Sequence, residues 1–463
     1  MPRLLATGRL AVSAIAMTGV ILAPVSQAMA QDDQGVSIIR DTEIEQILHE
    51  EADPIFKAAG LDPKAVQIHL VESNEVNAFS AGGQQIFLYT GLILKTDNPN
   101  QLIGVIAHET GHVAGGHLAR SGDFTKAGLA PMLLTIGLGV LAALAGAPEA
   151  AAGLVFSSTY FGELNVLTYS REQESRADQA AATYLENAGM SGRGLVSFFD
   201  TYRYQEVFDD ERKFPFFRDH PLSDDRIEAL KVRVERQPHY YVTDSPQAIA
   251  KFEIMKAKLE GFIDSSGQVM MDYPPEDASF PARYARAIAL YRATEVEPAL
   301  KQIDGLIADH PKNPFLWELK GQVLFESGRA KEAEPAHRRS VELDPDAPLL
   351  RINLAQALTA EGTIPKFDEA ILHIRRALSV EPDDPLAWRL LSEAYDGKGD
   401  AGMARLASAE QNFYLGQLLQ ARTFAYNARE LLKKGTPEWR RATDIILASK
   451  PTPEQLKQLG VSG

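Results

Sequence analysis

The sequence predicts a mainly α-helical protein in two parts: an α+β domain of helices with a small sheet, then an α-helical solenoid. Three observations support this fold class. An H-E-x-x-H pattern at residues 108–112 lies inside an apolar run of helical periodicity. Segments between residues 66 and 90 alternate as strands do. Pro311 and Pro345 have the spacing of tetratricopeptide repeats, whose period is about 34 residues.

Composition sets limits on the class of protein. The chain has 463 residues, enough for two or three domains, with 45% hydrophobic and 24% charged residues. Its net charge of −15 argues against nucleic acid as a partner. Because the chain has no cysteine, neither a disulfide nor a cysteine-linked lipid anchor is available.

The first 30 residues have the features of an export signal. Arg3 and Arg9 are their only charges, an apolar run from Leu10 to Val25 follows, and Ala28-Met29-Ala30 forms an A-x-A cleavage site. We interpret residues 1–30 as a secretory signal peptide. The alternative is a membrane anchor that the mature protein retains.

The H-E-x-x-H segment is predicted to lie on a helix that begins at Asn98-Pro99, which supplies an N-cap and a first-turn proline. His108 and His112 then lie one turn apart on one face and can both reach one Zn²⁺. Glu109 lies beside the first ligand and can take a proton from the attacking water. The alternative is an ordinary helix with two polar histidines.

A third ligand decides between these alternatives. In one class of zinc peptidase it is a histidine that follows Gly115, but Leu118 stands at that position. His117 comes one residue early, about 100° around the helix, and we interpret it as a polar residue near the site. The other possible source of a ligand is a glutamate on a separate helix.

Residues 170–178 supply such a glutamate. Glu174 and Asp178 share a helix face, so Glu174 could bind the metal while Asp178 accepts a hydrogen bond from a ligand imidazole. The alternative is an exposed charged helix. Glu172 is the rival carboxylate, but its position four residues before Arg176 suits a surface ion pair.

These motifs together carry a family resemblance. H-E-T-G-H followed by S-R-E-Q-E-S-R-A-D resembles the gluzincin family of HtpX, Oma1 and the CAAX prenyl endopeptidases. Residues 77–83 are similar to that family's strand-turn-strand segment, and residues 220–227 are similar to its H-P-x-x-x-x-R segment. With a signal peptide and a repeat tail, the chain resembles BepA-type periplasmic proteases.

The resemblance implies a zinc metalloendopeptidase with one Zn²⁺ per chain on His108, His112 and Glu174. It implies a periplasmic location and a role in quality control or assembly of outer-membrane proteins. Misfolded or stalled outer-membrane proteins would be substrates, and the repeats would recruit them or bind the assembly machinery. The alternative function is that of a chaperone or scaffold whose protease is held inhibited.

The resemblance also assigns roles around the metal. His220 would lie on a loop over the cleft, either as a fourth ligand that displaces the catalytic water or as a hydrogen-bond donor to the oxyanion. The alternative is a plain histidine at a helix entry. Arg226 would pair with a carboxylate near the site or assist the oxyanion. Separately, we expect the strand at Asn77, Ala78 and Phe79 to pair with extended substrate.

An insert between the two metal-binding motifs is apolar, and residues 127–147 carry no charge. A single membrane span there would separate His112 from Glu174, which must meet at one metal, so we reject it. We expect a helical hairpin, with residues 127–161 either packed on the domain or touching a membrane surface. An internal pair of core helices is the alternative.

The predicted domains are a metalloprotease domain at residues 31–263, a linker at 264–279 and a repeat domain at 280–463. The repeat units span about 280–313, 314–347, 348–384 and 385–418. His337 and His373 fall on repeat helices, and we expect both at the surface. A concave solenoid surface implies a protein partner.

Overall fold

The computed structural model describes residues 37–116, 171–203, 216, 220 and 222–450. The predicted signal peptide, His117 and the 127–161 insert lie outside them. Within the described residues the chain is mainly helical with one small mixed sheet, which confirms the predicted fold class. No helix in this part of the chain is long and apolar enough to cross a membrane.

A four-stranded sheet forms one layer of the first domain. Its strands are β1 (Ser37–Ile39), β2 (Gln67–Glu72), β3 (Ala78–Ala81) and β4 (Gln85–Tyr89). They are ordered β1-β2-β4-β3, with β2 and β4 parallel and the other two pairs antiparallel. The strand β3 that follows Asn77 therefore lies at one edge of the sheet, and β1 lies at the other.

Seven helices surround the sheet in the described residues of this first part. They are α1 (Thr42–Ala58), α2 (Thr90–Lys95), α3 (Pro99–Gly115), α4 (Arg171–Asn187), α5 (Arg193–Tyr202), α6 (Asp224–Val234) and α7 (Pro246–Ile263). The helix α3 begins as predicted, because the Asn98 side chain accepts a hydrogen bond from the Gln101 backbone N–H. It ends at Gly116, whose φ of 58° is left-handed.

The helix α3 is buried along most of its length, and α4 packs closely against it. A Cβ atom on Gly111 would lie 2.9 Å from the Ala177 Cα atom, closer than real side chains come. Because Gly111 has no side chain, the two backbones can approach one another. This contact holds the H-E-x-x-H motif of α3 against the acidic motif of α4.

The second part is a series of helices: α8 (Ser266–Asp272), α9 (Phe280–Arg292), α10 (Val296–Asp309), α11 (Pro314–Glu326), α12 (Ala330–Leu343), α13 (Pro348–Ala360), α14 (Ile364–Leu378), α15 (Pro385–Gly397), α16 (Ala401–Tyr414), α17 (Leu418–Leu431) and α18 (Pro437–Ala448). Helices α9 to α16 form pairs that follow the four predicted units. The short helix α8 lies within the predicted linker, where Ser265 caps it and Val269 is buried.

One hydrogen bond recurs at the same place in three units. A side-chain N–H near the start of a helix bonds to the carbonyl oxygen of the proline six residues earlier. The pairs are Trp317 with Pro311, Arg351 with Pro345 and Trp388 with Pro382. The bond ties the loop between units to the next helix, which explains why the prolines mark the repeat period.

The prediction that His337 lies at the surface is wrong. His337 is only 3% exposed, and a Cβ atom on Gly321 would come within 2.6 Å of its ring. The imidazole therefore fills the space that glycine leaves between α11 and α12. His373 is partly exposed, with Arg351 beside its ring.

We predict that the buried His337 makes the repeats sensitive to acid. Burial lowers the pKa of His337 to about 4 from its ordinary 6.5. The unfolded chain therefore binds more protons between these values, and stability is lost as pH falls through that window, by up to about 3 kcal/mol. Urea unfolding followed by tryptophan fluorescence reports on the unfolding of the repeat domain, because all three tryptophans lie in it. A His337→Leu variant should lose less stability than wild type over this range, and equal losses would contradict the prediction.

Candidate metal centre

Four buried side chains converge between α3 and α4. His108 and His112 come from α3, Glu174 from the first turns of α4, and His220 from the segment that precedes α6. All four are fully buried, and one ligand atom from each lies within 4.8 Å of the others. The structure therefore brings together the four residues that the sequence nominated as metal ligands.

The spacing of these atoms fits a single metal ion. The two Nε2 atoms of His108 and His112 are 3.1 Å apart. Oxygens of Glu174 lie 3.4 Å from His108 Nε2 and 3.3 Å from His112 Nε2. Four atoms at about 2.0–2.2 Å from one ion in a tetrahedron lie roughly 3.3–3.6 Å apart. Nitrogen and carboxylate donors at these separations suit zinc and similar divalent metals.

The ring of His220 occupies the fourth corner of this cluster. Its Nδ1 atom lies 3.3 Å from His108 Nε2 and 3.1 Å from Glu174 Oε1. The ring of Phe216 stacks on it with centroids 4.5 Å apart. The backbone N–H of Phe216 donates to the Val76 carbonyl at 3.3 Å, so Phe216 also contacts the approach to β3, the residues that lead into this strand.

Asp178 and Arg226 form a second layer behind the ligands. Asp178 Oδ1 lies 3.0 Å from His108 Nδ1, which favours the tautomer that leaves Nε2 free for a metal. Arg226 reaches Asp178 through Nε at 2.8 Å and Glu174 Oε2 through Nη2 at 3.0 Å. One guanidinium therefore holds both carboxylates in place. From the sequence, Arg226 was expected to pair with a carboxylate near the site or to assist the oxyanion.

Charge is distributed unevenly among the carboxylates. Burial opposes ionisation of Glu174, but His220, His108 and His112 outweigh it and hold the pKa of that carboxyl well below its usual range. Burial also opposes ionisation of Asp178, yet His108 and Arg226 lower its pKa. Both groups are therefore anionic at neutral pH, as a metal ligand and its supporting carboxylate must be.

Glu109 has a different environment. Its carboxyl group is fully buried, and its Oε1 atom lies 3.4 Å from His220 Nε2. Burial raises the pKa of Glu109, although the nearby His220, His108 and Ser80 side chains oppose the rise. A buried carboxyl group whose pKa is raised holds a proton more readily than an exposed one, which suits a group that must accept a proton and return it.

The predicted substrate-binding residues lie where expected in the sheet but are covered. Ala78 and Phe79 belong to the edge strand β3, and Asn77 immediately precedes it. All three are buried, and the Phe79 ring stacks on Phe87 with centroids 4.7 Å apart. Their role in substrate binding stays a prediction.

Sequence reasoning missed the residues that surround the ligands. Phe199 and Phe216 pack edge-on against His108, with ring centroids 6.0 and 6.2 Å away. Ser80 contributes the hydroxyl beside Glu109. The signal for the two phenylalanines was the pair of aromatic runs at residues 198–199 and 214–217, which gives no indication of what the rings contact.

Comparisons with known proteins agree with this geometry. Residues 39–234 match the model of peptidase family M48, and residues 284–348 and 324–394 match tetratricopeptide repeat models. The chain is 27% identical over 382 residues to the beta-barrel assembly-enhancing protease of Yersinia pestis, covering 81% of this chain and 76% of that protein. The corresponding Escherichia coli K12 protein is 25% identical, covering 84% and 78%.

Another relative matches a shorter stretch of the chain. Metalloprotease LoiP of Escherichia coli K12 is 31% identical over 181 residues, which cover 38% of this chain and 65% of that protein. The matched regions coincide with the two structural parts, and the metal-binding cluster lies in the first. The chain therefore carries a metalloendopeptidase domain of peptidase family M48 followed by tetratricopeptide repeats.

Proposed function

We propose that this protein is a zinc-dependent endopeptidase of the periplasm that acts in quality control or assembly of outer-membrane proteins. The observation that carries the proposal is the buried cluster of His108, His112 and Glu174, with Glu109 beside it. Its geometry supports hydrolysis of a peptide bond. The location and the substrate class rest on the predicted signal peptide and on the names of the relatives.

The side chains divide the chemistry among them. His108, His112 and Glu174 would hold one zinc ion per chain. When bound, zinc polarises the scissile carbonyl and makes water easier to deprotonate. Glu109 takes a proton from the attacking water and passes it to the leaving amine, a role that its raised pKa suits.

Substrate binding would use the β3 edge of the sheet. An extended peptide could add to β3 through its backbone, alongside Asn77, Ala78 and Phe79. Phe216 is hydrogen-bonded to the Val76 carbonyl at the approach to this strand, so a substrate would have to displace Phe216. Access to the strand and access to the metal would therefore open together.

His220 would act as the gate in this scheme. Its Nδ1 atom lies within the ligand cluster, where it would compete with water for a bound metal ion. We propose that this position represents a self-inhibited state. Movement of His220, together with Phe216, would clear the metal site and leave His220 able to donate a hydrogen bond to the oxyanion.

The repeats would supply protein recruitment. Tetratricopeptide arrays offer extended surfaces for protein partners, here either substrates or the outer-membrane assembly machinery. Contact of residues 127–161 with a membrane surface would bring the peptidase near such substrates. These partners and this contact remain proposals.

A second function, that of a chaperone or scaffold, is favoured by the same closed arrangement. A peptidase whose metal is approached by His220 and whose β3 strand is buried would spend much of its time inactive. Binding through the repeats could then carry the biological role. A variant that binds but cannot cleave separates the two functions.

We predict that Glu109→Gln abolishes cleavage without loss of metal. Removing a general base costs about 10²–10⁴-fold in rate, while the metal ligands stay in place. Hydrolysis of unfolded outer-membrane protein and metal content would be measured together, with exposed Glu172→Gln as the matched control. Cleavage by Glu109→Gln near the wild-type rate would remove this residue from the mechanism. Full complementation of a null strain by the inactive protein would favour the scaffold function.

We expect His220→Ala to increase the rate of hydrolysis several-fold at unchanged metal content, because it frees a coordination position. The control is His239→Ala, since His239 is partly exposed and pairs with Glu186 away from the centre. A fall in rate with full metal occupancy would instead assign His220 to the oxyanion.

Arg226→Met should destabilise the domain by about 3–5 kcal/mol, because it leaves the buried carboxylates of Asp178 and Glu174 without their cation. The matched control is Arg176→Met on α4. Arg176 pairs with Glu172 at the surface, so its loss should cost less than about 1 kcal/mol. Urea unfolding followed by circular dichroism compares the two, and equal effects would contradict the structural role of Arg226.

A further inference from the structure

The helix α7 belongs to both parts of the protein. On one side Phe252, Met255 and Leu259 lie in the hydrophobic core of the peptidase domain. On the other side Ala257 packs in a small core with residues of α9. A Cβ atom on Gly261 would lie only 3.0 Å from Ile288 of α9, so the two helices are in close contact. The structural junction therefore falls within α7, before the linker predicted at 264–279.

A buried cation, Lys258, lies at this junction. Lys258 of α7 is 3% exposed, and its Nζ atom lies 2.8 Å from Asp41 and 3.1 Å from Glu43 at the start of α1. The Tyr284 hydroxyl of α9 donates to Glu43 at 2.9 Å. The ammonium group also lies 5.7 Å from the ring centre of Phe315 in α11. One charge thus connects α1 with α7 and with the first two repeat units.

Carboxyl groups outnumber cations around Lys258. Besides Asp41 and Glu43, the Glu318 carboxyl of α11 interacts electrostatically with it. Glu318 also accepts a hydrogen bond from Asn353 of the next unit at 3.0 Å. Because Lys258 pairs with Asp41 and with the buried Glu43, its loss would leave these two carboxyl groups without their cation.

The opposite side of the α1 start contacts later repeats. Arg40 lies between Glu45 of α1 and Glu381, with its Nη2 atom 3.0 and 3.1 Å from the two Glu381 oxygens. The Gln46 amide donates to Asp344 at 2.7 Å. The first turns of α1 are therefore held between the first two repeat units and the loops that follow the second and third.

We propose that the junction cluster, defined as Asp41, Glu43, Lys258 and Tyr284, locks the repeats to the peptidase domain and couples their position to the metal helix. The coupling element is α1. Ile44 and Leu48 in its first two turns share one hydrophobic core with Leu102 of α3. A protein bound to the repeats can then displace them only by opening the cluster and loosening α1. The 264–279 segment does not act as a free hinge.

The test compares two lysines on α7 in the full-length protein. Lys258→Met removes the buried cation, whereas Lys251→Met removes a cation that pairs with the exposed Glu50 of α1. Hydrogen exchange of residues 41–48 should become faster by on the order of 100-fold in Lys258→Met. Lys251→Met should leave it unchanged. The Lys258→Met Glu43→Gln double variant should restore part of the protection, because it removes a buried anion and keeps an acceptor for Tyr284.

A second measurement has an arm in which all side chains of the junction cluster are intact. A specific protease site placed at the exposed residues 274–276 allows the folded chain to be cut between its two parts. The halves should remain together in size-exclusion chromatography of the wild-type sequence and separate when Lys258 is replaced by methionine. Separation of the wild-type halves, or equal loss of exchange protection in Lys251→Met and Lys258→Met, would overturn the proposal.

Discussion

The approach of α3 to α4 is the contact on which the peptidase domain depends. Gly111 lets the two backbones come close enough for His112 and Glu174 to share one centre. The cost is the burial of several ionisable groups in one place, away from water. The structure offsets that cost by pairing each carboxylate with an imidazole or with the Arg226 guanidinium. The close packing of α3 on α4 therefore requires that the buried charges at the centre are paired.

In the function proposed above, the same centre would keep the peptidase inactive without a separate inhibitor. The His220 ring lies among the ligand side chains, and the Phe216 N–H bonds to the Val76 carbonyl at the approach to β3. In that scheme these two residues would close both approaches that hydrolysis needs, one for water and one for substrate. Their displacement would then open both.

In the proposed scheme, another part of the chain would control the displacement of His220. The repeats could do so because they contact α1. The residues around the junction bond to the start of α1 through buried and partly exposed polar contacts. The helix α1 in turn packs in the same hydrophobic core as α3. Rigid helices and a shared core transmit a shift better than a flexible linker does. In the proposed scheme, recruitment and catalysis would be linked through α1, which follows β1 at the sheet edge opposite to β3.

Short-range pattern was enough to predict much of this architecture. The helix α3, the acidic motif on α4, strands β2 to β4 and the phase of the repeats follow from spacing and turn chemistry, whereas strand β1 was not predicted. The grouping of His108, His112 and Glu174 could also be anticipated, because metal chemistry restricts which residues can meet. The assignment of His220 to the same cluster came from family resemblance and not from spacing.

The sequence by itself determined the elements and the chemical type of the centre, since both depend on periodicity and on residue type. Tertiary structure alone decided that Arg226 holds two carboxylates, that His337 fills the space beside Gly321 and that Lys258 closes a buried junction. Each of these depends on side chains from distant helices packing together. Sequence spacing does not show which residues from distant helices are buried together. Polar residues at helical spacing are therefore predicted to be exposed, even where the tertiary structure buries them.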